Sequence, residues 1–195
     1  MGKIKAIIFD ADGMVINSPE MFGTWYQKNK NLSSETMLAF FKGVFQDCLI
    51  GKADLKKSIT PFLKDWKWEE SVDEFLNAWF KFEDRINKDV AELIKKLRSE
   101  GVKCYLATNQ EKYRTDYIRN EMGFSKLFDK IYSSAEVGYK KPEKEFFEFI
   151  LRDLNIDPGS VMFWDDDEKN VLTAREEGLD SYIFKNINDF KEKIK

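Results

Sequence analysis

Short apolar segments alternate with helical patterns over most of this 195-residue chain, and this alternation limits the possible folds more than any other feature. Strand patterns at 102–107, 130–133, 161–164 and 180–184 are separated by segments in which apolar residues recur at helical spacing. Strands that alternate with helices form a parallel sheet with helices on both faces. We therefore expect an α/β fold, with a doubly wound, Rossmann-like parallel sheet.

The N-terminal segment provides one further strand, and a long helical stretch separates it from the others. Residues 3–9 are short and mostly apolar, as in a buried strand, whereas residues 18–84 contain no strand pattern. An aromatic-rich helical stretch between the first two strands predicts an inserted domain. The expected division is 1–16 with 86–195 for the catalytic core and 17–85 for an α-helical cap over the sheet edge.

Each of the first four predicted strands is followed, directly or after a short connection, by polar or charged residues. In chain order these are Asp10 and Asp12, Thr108 and Asn109, Lys140 and Lys141, and Asp165, Asp166 and Asp167. Ligands of open α/β sheets bind beyond the carboxyl ends of the strands, so one site is expected to contain all four groups. Asp10 and Asp12 are two residues apart, which places them on one face of an extended chain.

The absence of histidine restricts the chemistry of such a site. It removes Ser–His and Cys–His dyads, imidazole acid–base catalysis and most zinc sites. Catalysis near neutral pH then depends on carboxylates, lysines, hydroxyl groups or a hard metal ion. Clustered carboxylates favour Mg²⁺ as the cofactor.

Composition also narrows the expected partners and location. The formal net charge of −3 provides no broad basic surface for nucleic acid. Cys48 and Cys104 have no metal-ligand spacing and are expected to be buried, reduced thiols. No apolar run is long enough for a membrane span, and no N-terminal signal region is visible. We expect a cytoplasmic protein without a nucleic-acid or membrane partner, either a monomer or a weak homodimer.

The residue types at the predicted sheet edge suit phosphoryl transfer. A carboxylate can attack phosphorus and hold it as an acyl phosphate. A second carboxyl group can protonate the leaving oxygen and then deprotonate water. A bound Mg²⁺ neutralises charge on the phosphoryl oxygens, and a hydroxyl group and an ammonium group bind them. Thr108-Asn109 and Lys140-Lys141 alone are typical of polar turns, whereas three consecutive aspartates are less so because adjacent acids repel. The specific signal is the joint occurrence of all the groups in this order.

That order resembles the four motifs of the haloacid dehalogenase superfamily of phosphohydrolases. The matching residues are Asp10-Ala11-Asp12-Gly13, then Thr108-Asn109, then Lys141 before Pro142, then Asp165-Asp166 with Asn170 and a helix closing at 174–178. The resemblance covers the first strand and nearly all of 86–184. The helical stretch resembles the family's small helical cap in position and character, including a Gly51-Lys52 turn.

The resemblance implies a role for each matching residue. Asp10 would be the nucleophile and Asp12 the general acid/base. Thr108 and Lys141 would bind the phosphoryl group, with assistance from the Asn109 amide. The Mg²⁺ ligands would be the Asp10 carboxylate, the Asp12 backbone carbonyl and Asp166, while Asp165 would act through water or as a supporting acid.

Three residues depart from the family pattern or compete with it. Asp167 occupies a position where the family usually has a small polar residue, and we interpret it as part of a loop. Met14 replaces the more usual Thr or Val after the motif glycine. Lys140 directly precedes the pattern lysine and is the natural wrong choice for the phosphate ligand.

The resulting hypothesis is a Mg²⁺-dependent phosphohydrolase that acts on a small phosphomonoester, such as a sugar phosphate, through an aspartyl-phosphate intermediate. Asp12 and Asp166 argue against a dehalogenase, because dehalogenases of the superfamily lack the second motif aspartate and need no metal. A sugar-phosphate mutase stays open because it uses the same motifs.

Two non-enzymatic alternatives are less compatible with the sequence. A phospho-receiver domain carries its phosphorylated aspartate after an interior strand and lacks an inserted helical stretch. A scaffold on the same fold would not require intact motifs. The aromatic residues of the stretch are expected mainly to form its core, with Trp25 or Tyr26 as the candidate to face a ligand.

Overall fold

The computed structural model describes residues 4–194 and contains one five-stranded parallel sheet. Its strands, in chain order, are β1 (Ala6–Phe9), β2 (Lys103–Thr108), β3 (Lys130–Ser133), β4 (Val161–Asp165) and β5 (Asp180–Ile183). Their spatial order is β3-β2-β1-β4-β5, and all four pairings are parallel. The predicted parallel α/β sheet is therefore confirmed, with β1 at its centre.

Twelve helices accompany the sheet within residues 4–194. They are α1 (Phe22–Lys30), α2 (Ser34–Lys42), α3 (Phe45–Leu49), α4 (Leu55–Leu63), α5 (Val72–Phe82), α6 (Lys88–Ser99), α7 (Lys112–Asn120), α8 (Phe124–Leu127), α9 (Ser134–Val137), α10 (Lys144–Leu154), α11 (Glu168–Glu176) and α12 (Ile187–Lys193).

The central strand is buried on both faces, which explains its continuous run of apolar residues. Ile7 and Phe9 belong to one core cluster, which also contains the inward face of α6. Ala6 and Ile8 belong to a second cluster, which contains apolar residues of α10 and α11. Successive side chains of β1 thus pack against the helices on opposite faces of the sheet. This packing holds the strand in place, and with it the position of Asp10 directly after its last residue.

Helices α1–α5, here called the helical block, pack around an aromatic core of their own. Phe40, Trp66 and Phe75 are fully buried in it, and Trp66 packs against both phenylalanines at ring-centroid distances of 5.4 and 5.6 Å. Apolar residues recur at helical spacing over 37–48, but the structure divides this segment between α2 and α3. The backbone leaves the helix at Gly43, where φ is −98° and ψ is −120°, and a Cβ atom in this conformation would lie 2.5 Å from the Ala39 carbonyl oxygen.

The two chain segments that connect the helical block to the sheet lie side by side. Asn17 N donates to Arg85 O, and Asn87 N donates to Val15 O, each over 2.8 Å. Asn87 also caps α6 through Val90 N. Entry to the block and exit from it are therefore paired directly after the Asp10–Asp12 turn.

The state of the two cysteines and the character of the helices can be compared with the expectations from composition. Cys48 and Cys104 are both free and buried, as predicted. Within residues 4–194, no helix combines the length and the apolar character needed to cross a bilayer.

The aromatic core of the helical block makes a direct prediction about stability. We expect Phe75→Ala to lower the free energy of unfolding by about 3–5 kcal/mol, because it removes a fully buried ring that several other rings contact. Urea unfolding followed by circular dichroism measures the change. Leu38→Ala, at an exposed position of the same block, is the control and should stay within about 0.5 kcal/mol of the parent protein. An unchanged unfolding midpoint for Phe75→Ala would contradict the prediction.

Candidate active site

The candidate site is centred on Asp10, the first residue after the central strand. Asp10 is buried, and its backbone N–H still donates to Trp164 O of the neighbouring strand β4 at 2.9 Å. Its Oδ1 atom accepts hydrogen bonds from Ala11 N at 2.7 Å and from Lys141 Nζ at 2.6 Å. The sheet and these two donors together fix the orientation of the carboxylate.

Lys141 connects two of the predicted acidic residues. Its buried Nζ atom lies 2.6 Å from Asp10 Oδ1 and 2.6 Å from Asp165 Oδ2. The side chain of Asn109 fixes the Lys141 backbone, because Nδ2 donates to Lys141 O and Oδ1 accepts from Lys141 N, both at 2.8 Å. In this structure the Asn109 amide therefore positions the lysine.

Lys140, the neighbouring lysine, points elsewhere. Its Nζ donates to Gln46 Oε1 of the helical block at 2.5 Å. Lys141, and not Lys140, thus contacts the acidic cluster. Thr108 is buried at the end of β2, in register with Ser133 of β3, and lies at the same edge of the sheet.

Asp165 ends β4 and is completely buried. Besides Lys141, it accepts hydrogen bonds from Asn170 Nδ2, at 3.0 Å to each oxygen, and from Asp167 N at 2.8 Å. Asp167 itself caps α11 by accepting from Lys169 N, which agrees with its interpretation as a loop residue. The buried charge of Asp165 is therefore compensated by three donor groups.

One group of acidic side chains within residues 4–194 is arranged to hold a metal ion. Asp10, Asp165 and Asp166 each offer a carboxylate oxygen, and these oxygens lie within 4.8 Å of one another. Asp166 is the exposed member of the group. An all-oxygen donor set is the one that Mg²⁺ prefers, so these residues fit the predicted cofactor.

Gly13 provides the space that Asp166 occupies. Its φ of +82° lies in the left-handed region, and a Cβ atom there would be 2.0 Å from Asp166 Oδ2. The glycine of the Asp10–Gly13 turn is thus required both by its backbone conformation and by the carboxylate packed against it.

The electrostatics of the cluster favour a cation. Burial raises the pKa of Asp10, and the charges of Asp165 and Asp12 raise it further, while the Lys141 ammonium opposes the rise. Burial likewise raises the pKa of Asp166, with the charge of Asp165 as the second cause. A divalent ion would favour the ionised form of these carboxyl groups.

Asp12 faces a different set of partners. Its Oδ2 accepts from Gln110 Nε2 at 2.5 Å. Burial raises the pKa of Asp12, opposed first by the charge of Arg114 and then by the Gln110 hydrogen bond. A carboxyl group with a raised pKa suits a residue that must both give and take a proton.

A cavity of about 170 Å³ lies beside Asp12, between the sheet edge and the helical block. The sheet side provides Asp12, Asn109, Gln110, Glu111 and Arg114, and the block side provides Met21, Phe41, Phe45, Leu49, Trp79 and Glu83. A ligand bound there would contact both parts of the molecule.

Trp25 and Tyr26, one of which was expected to face a ligand, do not line this cavity. Tyr26 is buried in the block and its hydroxyl donates to Trp66 O, while Trp25 packs on Phe82. Helical periodicity indicates which apolar residues share a face of a helix, but it does not indicate which face is directed at the sheet.

Four polar residues that line the cavity were not predicted from the sequence. Gln110 had a usable signal, since it directly follows Thr108 and Asn109 at the end of β2. Arg114, Glu111 and Glu83 had none. Arg114 is buried and donates to Phe80 O at 2.9 Å and to Glu83 O at 3.3 Å, a contact between distant parts of the sequence.

Gly13→Ala should weaken Mg²⁺ binding about tenfold or more, because the added methyl group occupies the position of the Asp166 carboxylate. Isothermal titration calorimetry measures the affinity. Gly101→Ala is a matched control, since Gly101 has a similar φ of +87° but nothing within 4 Å of a Cβ atom. Both variants should lose about 1–2 kcal/mol of stability from the left-handed backbone. Equal Mg²⁺ affinities in the two variants would contradict the steric explanation.

Mg²⁺ should stabilise the protein more at about pH 8 than at about pH 6. The raised pKa of Asp10 means that the metal-free fold loses stability as the pH rises through that pKa. Metal binding requires the ionised carboxyl group, so bound Mg²⁺ offsets the stability that the metal-free fold loses as the pH rises. Thermal unfolding with and without Mg²⁺, at constant ionic strength, measures the gain at each pH. A gain that is independent of pH would be evidence against Asp10 as a ligand.

Comparison with known proteins identifies the family. Residues 4–178 match the model of the haloacid dehalogenase-like hydrolases. A D-ribitol-5-phosphate phosphatase of Bacteroides thetaiotaomicron is 22% identical over 98% of this chain and 97% of its own length. A phosphorylated carbohydrates phosphatase of Thermotoga maritima is 23% identical over 96% of this chain and 89% of its own.

Solved structures give the same result. The crystal structure of a haloacid dehalogenase family enzyme from Bacteroides thetaiotaomicron superposes with a TM-score of 0.84 and 25% identity, over 99% of both chains. A complex of that enzyme with magnesium and inorganic phosphate gives a TM-score of 0.82 and 26% identity, over 98% of this chain and 100% of the other. The predicted family and enzyme class are confirmed: this chain belongs to the haloacid dehalogenase-like hydrolases.

Proposed function

We propose that the protein is a Mg²⁺-dependent phosphomonoesterase that forms an aspartyl phosphate on Asp10. The observation that carries the proposal is the buried Asp10 carboxylate, held at 2.6 Å by Lys141 within a group of acids that fits a divalent ion. Asp10 Oδ1 already accepts two hydrogen bonds, and within residues 4–194 no donor contacts Oδ2. Oδ2 is the oxygen available for attack on phosphorus.

The two half-reactions use the two aspartates in turn. Asp10 Oδ2 forms a bond to phosphorus while the bond from phosphorus to the ester oxygen breaks, and Asp12 donates its proton to that oxygen. Asp12 then takes a proton from water as the water oxygen attacks phosphorus. The bond from phosphorus to Asp10 breaks, which regenerates the carboxylate and releases inorganic phosphate.

The remaining site residues bind and orient the phosphoryl group. Lys141 would move from its Asp10 contact toward a phosphoryl oxygen, with its backbone kept in place by Asn109. The Thr108 hydroxyl group would donate a hydrogen bond to a second phosphoryl oxygen. Asp10, the Asp12 backbone carbonyl and Asp166 would hold Mg²⁺, with Asp165 at the edge of the same group. When bound, the ion neutralises charge on the phosphoryl oxygens.

A sugar phosphate or sugar-alcohol phosphate is the proposed substrate class. Two relatives that match over nearly the whole chain are named as a D-ribitol-5-phosphate phosphatase and a phosphorylated carbohydrates phosphatase, which supports this choice. Residues 17–85 would then act as the cap that contacts the leaving group. The cytoplasmic location and the monomeric or weakly dimeric state expected from the sequence stay predictions.

The cavity lining favours hydrolysis over mutase activity. A mutase must retain a second phosphate group while its substrate reorients, and this requires cationic groups in the cap. Among the residues that line the cavity, the helical block provides no lysine or arginine. Arg114 comes from the sheet side, and its guanidinium donates to Phe80 O and Glu83 O.

Replacing the nucleophile tests the proposal. Asp10→Asn should reduce turnover of p-nitrophenyl phosphate with Mg²⁺ by about a thousandfold or more, because an amide cannot attack phosphorus. Asp167→Asn is the matched control, since it makes the same change in an exposed residue of the neighbouring loop. Circular dichroism verifies that both variants are folded. Substantial activity in Asp10→Asn would exclude Asp10 as the nucleophile. With a sugar phosphate as substrate for the parent enzyme, formation of an isomer in place of inorganic phosphate would support a mutase.

A further inference from the structure

We propose that Glu83 selects the leaving group of the reaction: it favours uncharged groups with hydroxyls, as in polyols and sugars, and disfavours groups that carry a second anionic charge. This inference rests on the proposed phosphatase function and adds a specificity-determining residue to it. The inference is based on the buried carboxylate of Glu83, which has no role in the two proposed half-reactions.

Glu83 is fixed at the end of the helical block. It directly follows α5, is 5% exposed, and its Oε1 accepts from Phe22 N, the first residue of α1, at 2.7 Å. Its backbone carbonyl accepts from Ser18 Oγ at 3.1 Å. Within residues 4–194, no donor in hydrogen-bond geometry contacts Oε2. One carboxylate oxygen is therefore used for structure and the other is available.

The position of Glu83 matches that of a leaving group. It lines the cavity of about 170 Å³ that contains Asp12, the residue proposed to protonate the leaving oxygen. It also lines an adjoining cavity of about 270 Å³ between α1, α2 and α5. Met21, Phe41 and Trp79 are shared by both cavities. A group that extends from phosphorus past Asp12 into the block would pass Glu83.

The wall beside Glu83 offers one further polar atom. Trp79 Nε1 is completely buried and lies near the Glu83 carboxyl group, whose pKa it helps to lower, but no acceptor among the described residues meets it in hydrogen-bond geometry. Buried polar groups without partners are costly, and a ligand that satisfies them gains binding free energy. A hydroxyl group both donates and accepts, so adjacent hydroxyls of a polyol can donate to Glu83 Oε2 and accept from Trp79 Nε1.

The charges around the cavity disfavour an anionic leaving group. Glu83 and Glu111 line it beside Asp12, which is protonated when it acts as the general acid, and Arg114 is the cation among the lining residues. The Arg114 guanidinium is directed at the carbonyl groups of Phe80 and Glu83, where it holds the end of α5. A carboxylate on the ligand would face Glu83 at short range in a water-poor space, where like charges repel strongly.

Three substrates of similar size test the selection in the parent enzyme. We expect kcat/KM for sn-glycerol 3-phosphate to exceed that for propyl phosphate, which lacks the hydroxyls, and that for 2-phosphoglycolate, which carries a carboxylate, each by about tenfold or more. Release of inorganic phosphate in the presence of Mg²⁺ measures the rates. A preference for 2-phosphoglycolate would overturn the inference without any variant.

Glu83→Gln separates charge from shape, because the amide keeps the size of the side chain and an acceptor for Phe22 N–H. The preference for sn-glycerol 3-phosphate over 2-phosphoglycolate should fall about tenfold, mainly through a lower KM for 2-phosphoglycolate. Glu83→Leu should raise KM for sn-glycerol 3-phosphate and leave propyl phosphate the better substrate. Glu69→Gln makes the same charge change at an exposed site of the block and should show the parent preference.

The outcomes distinguish this inference from the proposed function. If the parent enzyme with Mg²⁺ hydrolyses neither p-nitrophenyl phosphate nor the three substrates, the phosphatase proposal itself fails. If it hydrolyses them and folded Glu83→Gln keeps the parent preference, Glu83 does not select the leaving group. Should thermal unfolding show that Glu83→Gln is not folded, the parent preferences decide, and equal rates on all three substrates overturn the inference.

Discussion

The ammonium group of Lys141, buried between Asp10 and Asp165, is the interaction on which the rest of the site depends. It joins the ends of the two adjacent strands β1 and β4 to the loop after α9, with 2.6 Å contacts on both sides. Without it, two carboxylates would be buried next to each other with no cation among the described side chains in contact with them, which is strongly unfavourable. Asn109 and Asn170 support this ion-pair network, because the hydrogen bonds of each hold one of its members in place.

The helical block and the sheet are connected by specific polar contacts as well as by the chain. Arg114 in α7 donates to carbonyl groups at the end of α5, and Lys140 donates to Gln46 of the block. The turn at Gly51 approaches the sheet side so closely that a Cβ atom there would be 2.4 Å from Ala135 O. These contacts explain how residues of the block and residues of the sheet edge, among them Asp12, can line one cavity.

The sequence was sufficient to predict the sheet and the acids at its edge, because strand periodicity and strand-end motifs are local. It predicted Asp10, Asp165 and Lys141 close together, since parallel strands end at one edge. It could not predict the contact of Arg114 with the end of α5, which depends on packing between distant segments. The sequence also did not reveal the helix break at Gly43, because the periodicity of side chains carries no information about a local change in backbone conformation.

The pairing of the two connecting segments has a consequence for how the chain folds. Strand β1 must pair with β2 across the whole helical block, and such distant pairings close slowly because the intervening chain loses entropy. The hydrogen bonds between Asn17 and Arg85 and between Asn87 and Val15 bring the two ends of the block together. Once the block has formed around its aromatic core, the sheet needs to close only a short effective loop. We therefore expect the helical block to add little to the entropic cost of pairing β1 with β2, even though it separates these neighbouring strands by much of the sequence.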